Sequence, residues 1–243
     1  MTAPRRTARL EHRLTQPSAS LADLDLAAAL ALEHGLHTLA VNPWLVRPAA
    51  RRLARTPVKV GTVIGFPHGG QVASAKAFEA SVALEHGASQ LDFVLNAGAL
   101  LSGDDEAVLD DMLAVVEMAH SALAACGVIV PVGMLGEELA RRACRLAARA
   151  GVDHVTTSTG DEPAAATLER VHLLRRVGDE QLAVKAAGTV SEVDQLAALL
   201  AAGAVCVSAP FSAQLAAEAA LLLAQGPPGL SEPALADVGA ATG

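Results

Sequence analysis

Along the chain, Ala- and Leu-rich stretches of helical character end repeatedly at a glycine, and within a few residues a short apolar, partly β-branched run begins. The join recurs at Gly35 before Thr38-Leu39-Ala40-Val41, at Gly87 before Leu91-Asp92-Phe93-Val94-Leu95, at Gly151 before Asp153-His154-Val155-Thr156, and at Gly203 before Val205-Cys206-Val207-Ser208. Glycine reaches the left-handed conformation that stops a helix, so each join predicts a helix passing at once into a strand. Gly35 to Gly87 and Gly151 to Gly203 are equal intervals, as two βα units per interval would give. Further strands are expected at Val58–Ile64, Val128–Val132 and Leu182–Lys185, and the segment Arg9–Leu14 before the first helix supplies an eighth.

Strands that alternate with helices imply parallel strands and crossover helices. The expected architecture is an α/β (β/α)8 TIM barrel over residues 1–225. The Gly-, Pro- and small-residue-rich stretch from Gly226-Pro227-Pro228-Gly229 onward reads as a flexible C-terminal tail, 226–243. Pattern alone also admits an open doubly wound sheet, although neither a GxGxxG nor a P-loop signature is present to favour it.

Composition narrows the function. Hydrophobic residues make up 52% of the chain and charged residues 18%, which suits a large buried interior. A net charge of -8 and an aromatic content of 2%, with no Tyr, argue against nucleic acid as a partner, because a phosphate backbone is gripped by clustered cations and stacked aromatics. Cys126, Cys144 and Cys206 stand far apart and in no CxxC spacing, so neither a disulfide framework nor a thiolate metal site is indicated. The basic start (Arg5, Arg6, Arg9) is followed by no signal-like or membrane-spanning apolar run, so a cytoplasmic protein without a membrane partner is expected. His12, His37, His120 and His172 show no zinc-holding spacing, and no metal or cofactor is implied.

Five segments in register carry a resemblance: Ala40-Val41-Asn42-Pro43, Val58-Lys59-Val60-Gly61-Thr62-Val63-Ile64-Gly65-Phe66-Pro67-His68-Gly69, Leu91-Asp92-Phe93-Val94-Leu95-Asn96-Ala97-Gly98-Ala99-Leu100, Thr157-Ser158-Thr159-Gly160 and Val184-Lys185-Ala186. Together they resemble the deoxyribose-phosphate aldolase (DeoC/LacD) family. The resemblance implies a TIM barrel with its site at the C-terminal ends of the strands. It also implies class I aldolase chemistry through a lysine imine, and a homodimer as the assembly. In that family the attacking lysine immediately precedes Thr-Ser-Thr-Gly, and here the position holds Thr156. Lys185 matches the family's second lysine and Asp92 its proton-moving carboxylate. Of the three lysines, Lys59 and Lys76 match positions read as structural, so Lys185 is the one candidate for an imine. The strand period turns Lys185 inward with Ala183, and Thr156 inward with His154. Asp92 beside Lys185 would favour the ammonium and so oppose imine formation, while burial would favour the neutral amine.

Carried over residue by residue, the site comprises Lys185 and Asp92 as catalytic groups, with Thr156, Thr157, Gly160, Asn42, Asn96, Glu11, Gly188 and Ser208 around the substrate. Several positions depart from the family. Its fifth-strand lysine is Pro131, its Glu-Thr pair is Leu135-Gly136, and its first-strand aspartate is Glu11. The two phosphate-binding turns read Gly188-Thr189 and Ser208-Ala209-Pro210-Phe211-Ser212, and Pro210 has no N–H to offer an anion. A small unphosphorylated carbonyl compound is therefore the expected substrate. Blander readings stand beside these. Thr156 reads as a filler before a nucleophile, His154 as a packed core histidine, and His68 as a turn residue. His34 and His86 read as helix-end residues, and Asp92 serves equally well as a structural partner of Lys185. Three functions stay open: a diverged lyase that uses Lys185 and Asp92, a non-catalytic barrel that partners another enzyme, and a non-covalent acid–base enzyme in the same pocket.

Overall fold

The computed structural model describes residues 10–160, 167–178 and 182–225; the tail from 226 and the N-terminal arginines lie outside the described residues. Eight parallel strands close into a barrel in chain order: β1 (Leu10–Leu14), β2 (Thr38–Val41), β3 (Lys59–Ile64), β4 (Gln90–Val94), β5 (Ala125–Ile129), β6 (His154–Thr156), β7 (Ala183–Ala187) and β8 (Cys206–Ala209). β8 pairs back onto β1, with Glu11 opposite Ser208, so no strand edge is left open. The outer layer holds α1 (Leu21–Glu33), α2 (Val46–Arg52), α3 (Ala73–Glu85), α4 (Ala97–Leu101), α5 (Asp105–Ser121), α6 (Val132–Ala150), α7 (Leu168–Val177), α8 (Val193–Ala201) and α9 (Ala213–Gln225). The expected joins are present: Gly35, Gly87, Gly151 and Gly203 all have positive φ, and His34 and His86 are the C-caps of α1 and α3. No helix among the described residues is long and apolar enough to cross a membrane.

Two cores divide the side chains by strand parity. Leu39, Val60, Leu91, Phe93, Val128, Val155, Val184 and Val207 belong to the large buried core between sheet and helices. Burial contributes about 1.5–3 kcal/mol for each large apolar side chain, so this layer supplies the driving force for folding. The alternate positions point into the barrel. There, among the described residues, the aliphatic cluster is Val63, Val94 and Ile129 with Phe66 against it, and below it lie the polar side chains of Glu11, Gln90, Asp92, His154 and Lys185.

The fifth strand departs from the expected Val128–Val132. It runs from Ala125 to Ile129, and Val132 opens α6 with Pro131 as its N-cap. Proline has no N–H for a ladder and its fixed φ suits a helix entrance, so the chain leaves the sheet there. The true start, Ala125-Cys126-Gly127, lacks a β-branched signal. A Cβ at position 127 would overlap the His154 ring, so the strand is thin because a side chain from β6 fills its place. Lys76, which matches a position read as structural, is wholly buried on α3. Its Nζ donates to Val94 O at 2.8 Å and pairs with Asp111 at 2.6 Å, which ties α3 to α5 and to the end of β4.

His12 lies on the outer face of β1, where its Nδ1 accepts the Phe211 N–H at 3.2 Å. Burial pushes its pKa down from 6.5 to about 4. The unfolded chain then binds a proton that the folded chain refuses, so stability falls as pH drops from 6.5 towards 4. The loss from this group is about 3 kcal/mol. Urea unfolding at both ends of that window should show His12→Asn, which keeps an acceptor for the Phe211 amide, losing less stability than wild type by about that amount. Equal losses would show that His12 is not the group responsible.

Candidate active site

Residues two apart on a strand share a face, so Glu11 and Arg13, Gln90 and Asp92, His154 and Thr156, and Lys185 and Ala187 come to the barrel axis in pairs. Lys185 Nζ lies 2.7 Å from Asp92 Oδ2 and 3.0 Å from Glu11 Oε2. Gln90 Nε2 donates to the same two carboxylates, at 2.6 Å to Glu11 and 3.1 Å to Asp92. The other Asp92 oxygen takes His154 Nε2 at 2.6 Å and, at 3.4 Å, a weak bond from Thr156 Oγ1. All six residues are buried.

The electrostatics follow from this packing. Burial alone would push the Lys185 pKa down, but Asp92 and Glu11 outweigh it and hold the ammonium above the ordinary lysine range. Burial alone would raise the Asp92 carboxyl, but Lys185 and His154 outweigh it and hold the group well below the ordinary range. Both residues are therefore ionised at neutral pH. An ammonium has three donors, and two of them go to carboxylates.

Above the cluster is a cavity lined by Glu11, Asp92, Thr156, Lys185 and Ser208 from the expected set, and by Arg13, Thr15, Ser158 and Thr159. The cavity has a volume of about 20 Å3, room for a water or two. Val63, Ile129 and Phe66 form its apolar wall.

The remaining expected residues are engaged elsewhere. Asn42 donates to Gln16 O at 2.9 Å, and Asn96 caps α4 by accepting the Ala99 N–H at 3.1 Å. Thr157 is fully buried and accepts the Ala187 N–H at 3.0 Å, which locks β6 to β7. The Gly188 N–H donates to Ser208 O at 3.1 Å. Gly160 packs against Arg13, whose guanidinium donates to the carbonyl oxygens of both Thr159 and Gly160.

Arg13 and Gln90 lie outside the site expected from the sequence, yet each shares the strand parity of an expected member, Glu11 and Asp92. Ser158 and Thr159 sat inside a quoted motif, but which of its hydroxyls turns to the mouth is a loop property that no period encodes. His154 was read as packed, and it is, with Gly127 as the vacancy that admits its ring. Among the described residues no group of three or more His, Cys, Asp and Glu is placed to hold a metal ion.

Comparison with known proteins bears on this barrel directly. The DeoC/LacD family aldolase pattern matches residues 8–212. A deoxyribose-phosphate aldolase of Geobacillus sp. (strain WCH70) is 41% identical over 195 residues, covering 80% of this chain and 87% of the relative. That of Thermococcus gammatolerans is 41% identical over 197 residues, covering 80% and 88%. The tetrameric deoxyribose phosphate aldolase of Aeropyrum pernix superposes with a TM-score of 0.81 at 27% identity, covering 90% of this chain and 92% of its own. The closed eight-stranded barrel, the matched length and the identity to these relatives together place the chain in the DeoC/LacD aldolase family.

Proposed function

We propose that the protein is a carbon–carbon lyase of the aldolase type that acts on a small, unphosphorylated carbonyl compound without forming an imine. Lys185 serves as a fixed hydrogen-bond donor to the developing oxyanion and Asp92 as the proton acceptor. The observation that carries the reading is the clamp on Lys185. An amine must be neutral to attack a carbonyl, and this one is held as an ammonium by carboxylates at 2.7 and 3.0 Å. Thr156, which stands where the family's attacking lysine stands, has a hydroxyl in its place, and a hydroxyl forms no imine.

The same clamp suits a different task. Lys185 lines the cavity, where its ammonium would donate to the oxygen of a bound carbonyl and stabilise the negative charge that develops there. In cleavage, the β-hydroxyl of the substrate gives its proton through Thr156 Oγ1 to Asp92, the bond between the α- and β-carbons breaks, and its electron pair becomes an enolate facing Lys185. Protonation of the α-carbon returns the proton and closes the cycle. His154 Nε2 and Gln90 hold Asp92 in place for this role.

The turns that would cradle a phosphate support an unphosphorylated substrate. Pro210 has no N–H. The Phe211 N–H is shared between Ala209 O at 3.0 Å and His12, and the Gly188 N–H is spent on Ser208 O. Phosphate bound there would have to break these bonds, and the buried Phe211 side chain fills adjoining space.

Exchange of α-protons for deuterium, followed by NMR with acetaldehyde, acetone and pyruvate in heavy water, tests the reading without knowledge of the true substrate. Wild type should catalyse exchange with at least one of them, and Lys185→Met should lose about 100-fold or more, the usual effect of removing a donor to a developing oxyanion. Absence of exchange in wild type, or its survival in the variant, would remove the proposal. Borohydride added with the carbonyl compound should leave the mass of the Lys185 peptide unchanged and, once the reagent is removed and fresh carbonyl compound supplied, the exchange rate intact; a reduced adduct on Lys185 would instead establish the covalent route.

Thr156→Lys adds an amine beside an existing cation, which favours its neutral form. That variant should become trappable by borohydride with acetaldehyde and still fail to cleave deoxyribose 5-phosphate. Cleavage of the phosphorylated sugar would refute the argument from the turns.

A further inference from the structure

Arg13 stands at the end of β1, two residues beyond Glu11 on the same strand face, and its half-buried side chain lines the cavity above Lys185. The guanidinium reaches across the mouth to the loop after β6, where it donates to the Thr159 carbonyl and, at 3.1 Å, to the Gly160 carbonyl. Gly160 has φ +87, and a Cβ at that position would overlap the guanidinium. The arginine thus lies in a space that exists only because position 160 has no side chain. With the arm in place, the room over Lys185 holds a water or two.

We infer that Arg13 is a specificity-determining latch, an arm strapped to the Gly160 turn that caps the site and limits the length of carbonyl compound able to reach Lys185. The chemical class it admits is short-chain aldehydes and ketones. A longer chain has to extend towards the mouth and so meets the guanidinium, which is tied to the Thr159 and Gly160 carbonyls. The inference rests on the proposed function for the location of the reacting carbonyl. Its own content is which residue sets the size limit.

Two substitutions remove the latch by different means. Arg13→Ala deletes the arm, and Gly160→Ala evicts it while leaving residue 13 untouched. The series from acetaldehyde to hexanal, measured by ligand-observed NMR for binding and by α-proton exchange for turnover, reads the result. In wild type the preference should fall steeply with each added methylene. In both variants the ratio of hexanal to acetaldehyde should rise by about tenfold or more, since exclusion of even one methylene from a rigid pocket is worth about that much. Because Gly160→Ala is strained by its φ, each ratio is taken within one protein and thermal unfolding confirms the fold; Arg13→Gln, shorter and still polar, replaces any variant that does not fold.

An unchanged length profile in the folded variants would overturn the latch even with exchange intact. A shifted binding profile without exchange in any protein would keep the latch and remove the proposed reaction.

Discussion

A lysine ammonium suspended between two carboxylates inside a barrel is the interaction on which the rest of this site depends. Three charged groups, each nearly removed from water, would be costly alone, because desolvating an ion costs several kcal/mol even after relaxation. They persist as a set. Glu11 and Asp92 share Lys185 and also share Gln90, and Asp92 gains His154 on its second oxygen. Removal of any one member leaves an unpaired buried charge or donor, which costs more than the intact pair contributes. The cluster therefore fixes the rotamers of its own members. The apolar layer between sheet and helices, which supplies the folding energy, tolerates this polar interior as long as the network stays closed.

The parallel register is what makes the closure attainable. Val63 lies opposite Asp92, Asp92 opposite Gly127, and Gly127 opposite His154, so the position that must yield to the His154 ring is the one without a side chain. His154 can reach Asp92 because Gly127 offers no Cβ. A barrel interior is normally filled by branched aliphatic side chains, and here that filling is confined to Val63, Val94 and Ile129 near the mouth. One apolar wall and one charged floor result, which gives the cavity a direction.

Most of the fold was legible in the chain, because the helix–glycine–strand join repeats and depends only on local conformation. The fifth strand was the weakest reading. Its first half is Ala, Cys and Gly, and what holds those residues in the sheet is their pairing with β4 and β6. Lys185, Asp92, Thr156, Glu11 and Ser208 could be placed from motif and parity. Arg13 and Gln90 were available to the same parity argument, whereas the burial of Lys76 against Asp111 needed the packing of α3 on α5, a tertiary fact that the residues around Lys76 do not announce. Asn42 and Asn96 show the opposite failure: each belongs to a family-like motif, and each spends its side chain on backbone, Asn42 on Gln16 O and Asn96 on the Ala99 N–H.

The neutral side chain at position 156 and the charge state of Lys185 are two faces of one electrostatic condition. A second cation beside Lys185 would repel its proton and push its pKa down, which is how a buried amine becomes a nucleophile. Thr156 brings no charge, and the lysine is paired with Asp92 and Glu11, so its proton is held. An amine in that state donates and does not attack. The charge state of the lysine at the centre of this barrel is thereby set by Asp92 and Glu11, and any change to either carboxylate alters that lysine directly.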